Sequence, residues 1–291
     1  MSSPRRAVLV GVSALLAMIA PSGRIGEAAA PARAAAAASE GMLSSGDASS
    51  FRALQSQLGG TIGVAVSPLG KGQPVERLGT LKSGIAWSTS KVPVAMAVIA
   101  AGGADRQASN LRRAITASDN GAAERLWSSL GSGKPAARAA MRQLRSAGDQ
   151  NTEVRSERLR SGFTAFGQTT WAVADQARFT AGLPCLAAGR AVLGLMGQTV
   201  GSQRWGLGQV GSGPMLKGGW GPGSRPGVDG GDLDRQLGIV TVAGKPIAVA
   251  VASLPADGRH ETGTRNLTAI AKWVARHVDV GDAPQQARCG A

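Results

Sequence analysis

Apolar positions divide the chain into stretches of different period. Phe51, Leu54 and Leu58 are spaced for one face of a helix. Ile62, Val64 and Val66 occupy alternate positions, which predicts a strand over 61–66. A hairpin-like return over 70–73 leads into a second extended piece that ends near Trp87. The period then vanishes. Residues 92–101 read VPVAMAVIAA, apolar on every face, which predicts a helix buried inside the domain. Pro93 falls in its first turn, where a missing N–H costs nothing. Residues 105–183 read as helices and polar loops, clearest as helix at 121–130 and 170–181. Extended runs return at 213–220, 236–242 and 246–253, the last a continuous apolar run suited to a central strand. Leu267, Ile270, Trp273 and Val274 then mark an amphipathic helix over 265–277. Strands at both ends of a helical middle predict an α/β fold, a sheet flanked by helices with an inserted all-helical lobe.

The ends of the chain have their own pattern. Arg5 and Arg6 precede an uncharged apolar run over 7–20, and small residues follow up to an Ala-x-Ala site ending at Ala34. That anatomy predicts a signal peptide over 1–34. The run is shorter than the roughly 20 residues a spanning helix needs. Arg24, Glu27 and Arg33 follow soon after it, which favours cleavage over a retained anchor and leaves no integral membrane span in the mature chain. The paired arginines also resemble a twin-arginine signal without its usual aromatic, so both export routes stay open. No Cys lies near the cleavage region, which disfavours a lipid anchor. Residues 35–50 are rich in Ala, Ser and Gly and are expected to form a flexible linker. One domain is expected over 51–280, without internal repeats, and a C-terminal tail over 281–291. The expected location is secreted, or the periplasm or envelope of a bacterium.

Charge and cysteine content narrow the partners. The net charge is +14, yet the basic residues are scattered, aromatics make up 3% of the chain and Tyr is absent, so no stacking platform for nucleic acid is visible. A basic surface suits weak attraction to anionic envelope polymers. Cys185 and Cys289, in a chain bound for an oxidising space, are expected to pair and pin the tail. With only His260 and His277 besides, widely separated, no metal-ligand spacing arises, and neither metal nor cofactor is expected.

Three short motifs carry the candidate chemistry. Ser88-Thr89-Ser90-Lys91 opens the buried helix, and residues three apart share a helix face, so the Lys91 amine can reach the Ser88 hydroxyl. Serine is a poor nucleophile until a neighbour takes its proton, and an amine can do so once burial lowers its pKa. Alone, the pattern is also an ordinary helix start. Ser118-Asp119-Asn120 precedes the helix at 121–130, where all three residue types are favoured caps. Lys217-Gly218-Gly219 stands on an extended run before Trp220 and reads equally as a turn exit.

In this order and context the three motifs resemble those of the class A β-lactamases and penicillin-binding serine hydrolases. The resemblance implies an antiparallel sheet with a helical lobe and a mechanism through an acyl-enzyme. It implies that Ser88 is the nucleophile, with Lys91 its proton acceptor or relay. Ser118, helped by Lys217, passes a proton to the leaving nitrogen, and Asn120 binds the substrate's side-chain amide. Gly219 and Trp220 complete the substrate strand, and the N–H groups of Ser88 and Trp220 form the oxyanion hole.

Three features depart from the family pattern. Gly218 stands where a hydroxyl holding the substrate carboxylate is usual, with Arg225 or Arg235 as candidate replacements. The first two motifs are closer in sequence than in typical class A enzymes. The Glu-x-x-Leu-Asn loop that aims the deacylating water is not recognisable, although Glu153 and Glu157 lie in its neighbourhood and 167–170 resembles its end. The implied function is a monomeric exported hydrolase acylated by a β-lactam, with slow deacylation. A D-Ala-D-Ala carboxypeptidase acting on peptidoglycan peptides, and a non-catalytic peptidoglycan-binding protein, are the alternatives.

Overall fold

Helix α1 (Ser45–Leu58) opens the structure, a computed structural model that describes residues 41–223, 230–281 and 283–290. The signal-peptide region 1–34, the start of the linker and Arg225 lie outside the described residues. The linker expected over 35–50 is corrected at its end, because helix begins within it. Ser44 accepts the Asp47 N–H and the Asp47 carboxylate accepts the Ser44 N–H, a reciprocal cap that satisfies two of the donors a helix start leaves open. Glu76 holds the Met42 and Leu43 N–H groups, and Phe51 is fully buried edge-on to Trp273. Burying one Phe stabilises by about 1.5–3 kcal/mol, enough to anchor a helix whose other residues are mostly small and polar.

Strands β1 (Thr61–Pro68), β2 (Glu76–Gly79) and β3 (Ser83–Ile85) follow, then helices α2 (Lys91–Ala100), α3 (Ala108–Thr116), α4 (Asn120–Ser129) and α5 (Gly133–Ser146). After a loop come β4 (Thr170–Ala172), α6 (Val173–Gly182) and α7 (Ala187–Met196), and then β5 (Met215–Pro222), β6 (Asp232–Val242), β7 (Lys245–Leu254) and α8 (His260–His277). The main sheet is antiparallel throughout, in the order β2-β1-β7-β6-β5. In β7 the run IAVAVA alternates by size. Ile247, Val249 and Val251 meet α1 and α8, while Ala248, Ala250 and Ala252 face the side on which α6 lies. Small residues on that face let a helix approach the sheet closely.

Residues 170–172 were expected at the start of a helix and form β4 instead, paired with β3. The carbonyl of Trp171, which a helix would need, accepts from the Arg235 guanidinium. Cys185 and Cys289 are joined in a disulfide, and Arg288 bridges to Gly70, so the tail is tied to the domain. Helix α2 is buried from Lys91 to Val98, at the centre of the lobe formed by α3, α4, α5 and α7. No single helix among the described residues is long and apolar enough to cross a membrane.

Candidate active site

Ser88 stands in a single 3-10 turn, Trp87–Ser90, that runs directly into α2. Inward hydrogen bonds lock the turn. Ser90 Oγ donates to Trp87 O at 2.6 Å, Thr89 Oγ1 to Ala86 O at 2.5 Å, and Gln176 Nε2 to Thr89 Oγ1 at 2.9 Å. Trp87 takes a left-handed φ of 47°, a conformation that an L side chain adopts only under constraint from its surroundings. Strand β5 presses on the turn through Gly219. A Cβ there would lie 2.7 Å from the Ser88 nitrogen and 2.8 Å from that of Thr89, so only glycine lets the strand backbone run beside the nucleophile's amide.

Four side chains meet close by, Lys91 of α2, Lys217 of β5, Asn120 of α4 and Ser118 of the turn before α4. Lys91, 1% exposed, donates from Nζ to Asn120 Oδ1 at 2.7 Å, to Ser118 O, and to Ser118 Oγ at 3.2 Å. Lys217, fully buried on β5, donates to Ser118 Oγ at 2.8 Å and to Gly218 O at 2.7 Å. The Ser118 hydroxyl therefore sits between two amines. Its placement follows from local sequence. Asp119 caps α4 by accepting the Ala122 N–H at 2.7 Å and pairs with Arg113, and a left-handed Ser118 (φ 60°) turns the chain so that residues 118 and 120 face the lysines. Desolvation brings the Lys91 pKa down to about 7, partly opposed by Asp119. Burial also holds Lys217 well below the usual amine range, with the charge of Lys91 adding to the effect. An amine with a pKa near 7, as at Lys91, can exchange a proton near neutral pH.

Ser88, Ser118, Asn120 and Trp220 line one cleft of about 360 Å³, which Phe163, Thr164 and Gly167 face from the loop and which Pro222 and Asp232 border. Lys91 and Lys217 reach it through Ser118, and Gly219 borders it through its contact with Ser88. Glu153 and Glu157 are not brought here. Both are exposed and line a separate pocket of about 610 Å³ with Arg155 and Asp175, so their candidacy as deacylating bases is corrected. The cause is local. Arg145 holds Thr152 O at 3.0 Å and Glu153 Oε1 at 2.6 Å, drawing that stretch toward α5. Among the described residues the one carboxylate lining the Ser88 cleft is Asp232.

Arg235 does not serve the cleft either. Its guanidinium is fully buried and donates to Gly84 O, Ile85 O, Trp171 O and Gln176 Oε1, a structural pin between the sheet and the β3–β4 ribbon. The absent hydroxyl at 218 has a steric reason, because a Cβ on Gly218 would meet the Trp205 ring at 2.9 Å. That ring belongs to an aromatic group that sequence reasoning missed. Trp220 stacks on His260 at 4.8 Å, Trp205 stands edge-on to both, and His260 Nδ1 bonds Asp234 Oδ1 at 2.5 Å. Burial raises the Asp234 pKa against the pull of His260, while the hydrogen bond to Asp234 raises that of His260. The available signal was Asp234, a charge inside an otherwise strand-like run opposite Trp220.

No family profile matches the sequence, and no curated protein shows significant similarity to it. Solved structures do share the fold. A class A β-lactamase from Mycobacterium abscessus superposes with a TM-score of 0.60 at 17% identity, over 79% of this chain and 98% of that one. A β-lactamase from Xanthomonas campestris gives 0.61 at 18% identity, again over 79% and 98%. A β-lactamase from Desulfarculus baarsii gives 0.55 at 17%, over 79% and 97%. The chain has the fold of the class A β-lactamases, a mixed α/β architecture with an antiparallel sheet.

Proposed function

We propose that this chain is an exported bacterial serine hydrolase whose Ser88 is acylated by β-lactams and whose acyl-enzyme is hydrolysed slowly. The observation that carries the reading is the chain in which two buried amines, Lys91 and Lys217, bond the half-buried Ser118 hydroxyl, which lines the same cleft as Ser88. Neutral Lys91 takes the Ser88 proton, directly or through Ser118, as Oγ attacks the lactam carbonyl. The N–H groups of Ser88 and Trp220 receive the negative charge that develops on the carbonyl oxygen, each such donor being worth roughly 10²–10³ in rate. Ser118 then gives its proton to the leaving nitrogen as the C–N bond breaks, and the lysines restore it. Asn120, held by Lys91, orients the acyl side-chain amide. Hydrolysis of the ester needs a base aimed at water, and the loop wall of Phe163, Thr164 and Gly167 offers no carboxylate for it.

The same acylation serves a cell-wall D-Ala-D-Ala peptidase, and the carboxylate-free loop wall suits a long-lived acyl-enzyme of that kind as well. Intact-mass and peptide mass spectrometry after exposure to benzylpenicillin test the shared step. One adduct per chain on the Ser88 peptide, absent in Ser88→Ala, is the expected result. An unlabelled protein at millimolar penicillin would leave only a non-catalytic binding role for the fold.

A further inference from the structure

Trp87, the residue before the nucleophile, carries two costs that the proposed acylation does not explain. Its φ of 47° is a left-handed backbone that a bulky L side chain adopts only when its surroundings hold it there. Its side chain is 4% exposed, and its Nε1–H is buried with no acceptor among the described residues. A buried donor left without a partner destabilises a fold, by more than an ordinary hydrogen bond contributes. Two other buried polar atoms share that condition, Gln203 Oε1 and Asp234 Oδ2, and neither residue lines the Ser88 cleft. Trp87 does. The walls of the cleft hold its ring from two sides. Gly221 of β5 lies against it, since a Cβ there would meet Cε2, the ring carbon bonded to Nε1, at 2.8 Å. Phe163 of the facing loop tilts against it at 5.1 Å. Trp87 O accepts the Ser90 hydroxyl at 2.6 Å, which fixes the backbone from which the ring projects.

Under the proposed mechanism Ser118 and Lys217 serve the leaving nitrogen, so the acyl portion lies the other way along β5, toward Gly221, where the nitrogen-bearing side of the Trp87 ring stands. We propose that Trp87 Nε1–H is a substrate-recognition donor, and that Ser88 favours amides whose acyl portion carries an acceptor oxygen beyond the side-chain amide that Asn120 orients. This rests on acylation at Ser88. The cost of the unpartnered donor is borne in the free protein and recovered when an acyl oxygen reaches it, so a substrate lacking that oxygen is the one disfavoured. The ester tethers the acyl group to the neighbouring residue. A small adjustment of the cleft walls then brings acceptor and donor together without a search through solution.

Two penicillins with the same nucleus and charge test this, one with a phenoxyacetyl and one with a 3-phenylpropanoyl side chain, which differ by an ether oxygen in place of a methylene. Second-order acylation constants, read by intact mass, are expected to favour the phenoxyacetyl compound about fivefold in the wild type, the scale of one neutral hydrogen bond. Trp87→3-benzothienylalanine keeps the shape of the ring and replaces its N–H by sulfur, and is expected to bring the ratio to within about twofold of unity. Nuclear magnetic resonance of the protein labelled with 15N at its six tryptophans gives a direct reading. The Trp87 indole signal, assigned by its loss in that variant, is expected to move downfield in the phenoxyacetyl acyl-enzyme relative to the phenylpropanoyl one. Equal constants in the wild type, a measurement that needs no variant to fold, overturn the donor while leaving acylation standing. So does a preference that survives in the variant, or a Trp87 signal that is the same in both acyl-enzymes. Absence of any adduct with either compound overturns the acylation reading and the donor with it.

Discussion

The floor beneath Ser88 and the loop that faces it across the cleft handle charge in opposite ways. The floor buries two lysines, commits their amines to Ser118, Asn120 and backbone carbonyls, and depresses both pKa values by desolvation. The loop region keeps its glutamates at the surface. Glu153 leans on Arg145, Arg158 reaches Glu124, and Glu157 is exposed on a different pocket. Burying a cation is costly, and a protein keeps one only where it is tied to specific partners. The contrast separates the two half-reactions of an acyl-enzyme. Under the proposed function, the proton-carrying groups that acylation would use are gathered on the floor, and the facing wall of Phe163, Thr164 and Gly167 carries no carboxylate that could direct a water in the second step.

The sharpest way to break the comparison is to remove the base from the floor. Lys91→Met is expected to slow acylation by about 10²–10⁴, the usual worth of positioned general-base assistance. The pH profile of the wild type adds a check with a fixed sign. The neutral amine is the active form, so the acylation rate should fall about tenfold per unit as pH drops below about 7 and level off above it. Stopped-flow or quenched mass spectrometry between pH 5 and 9 measures this. A flat profile, or a Lys91→Met variant that acylates at the wild-type rate, would remove Lys91 from the mechanism.

What was legible in the sequence follows the same division. Ser88 and Lys91 were readable as candidates because a spacing of three at the start of a helix is a local signal, whereas the partners that the Lys91 amine takes, Ser118 and Asn120, are set by the fold. Ser118 and Asn120 were readable because a cap residue between them, Asp119, sets the turn they occupy. The strand run at 246–253 announced its central place by being apolar on both faces. Relations made across the sheet left no local trace. Trp205 filling the space beside Gly218, Arg235 pinned to carbonyls of the β3–β4 ribbon, and the Asp234–His260 pair under Trp220 depend on strand register and on α8, elements distant in sequence. The start of helix α1 was hidden for a different reason. Its Ser44–Asp47 cap and first turns sit in an alanine- and serine-rich stretch whose composition reads as linker, whereas the helical spacing of Phe51, Leu54 and Leu58 was visible. Glu153 had suitable chemistry and position in sequence, and its outward turn depends on Arg145, a partner that spacing alone does not select.

The comparison also sets the kinetic shape of turnover. With a chromogenic cephalosporin the expected trace is a burst of about one equivalent per chain followed by a slow steady phase, because the second step lacks assistance usually worth 10²–10⁴. The burst amplitude should scale with enzyme concentration, and the labelled protein should persist in intact-mass spectra after excess substrate is removed. Loss of the adduct as fast as it forms would mean that another group directs water, and Asp232, at the far end of the cleft, would be the first candidate to change.

The smallest expected effect falls on the surface glutamates themselves. Glu153→Gln and Glu157→Gln should leave the slow phase within about twofold of wild type, since neither carboxylate lines the Ser88 cleft and surface ion pairs of this kind contribute little, about 0–1 kcal/mol. For Glu153 the structure gives a reason beyond distance. Its carboxylate, 74% exposed, is the third link of an Arg145 clamp that also holds Asp149 O and Thr152 O, so neutralising it weakens an ion pair but leaves the two carbonyl bonds that shape the loop. Arg145→Ala, which removes all three links, should therefore lower the unfolding temperature more than Glu153→Gln does. If instead either glutamine variant slowed release of the acyl group by tenfold or more, at an unchanged acylation rate, that carboxylate would have to turn into the cleft during turnover, and the division between floor and wall would hold only for the free protein.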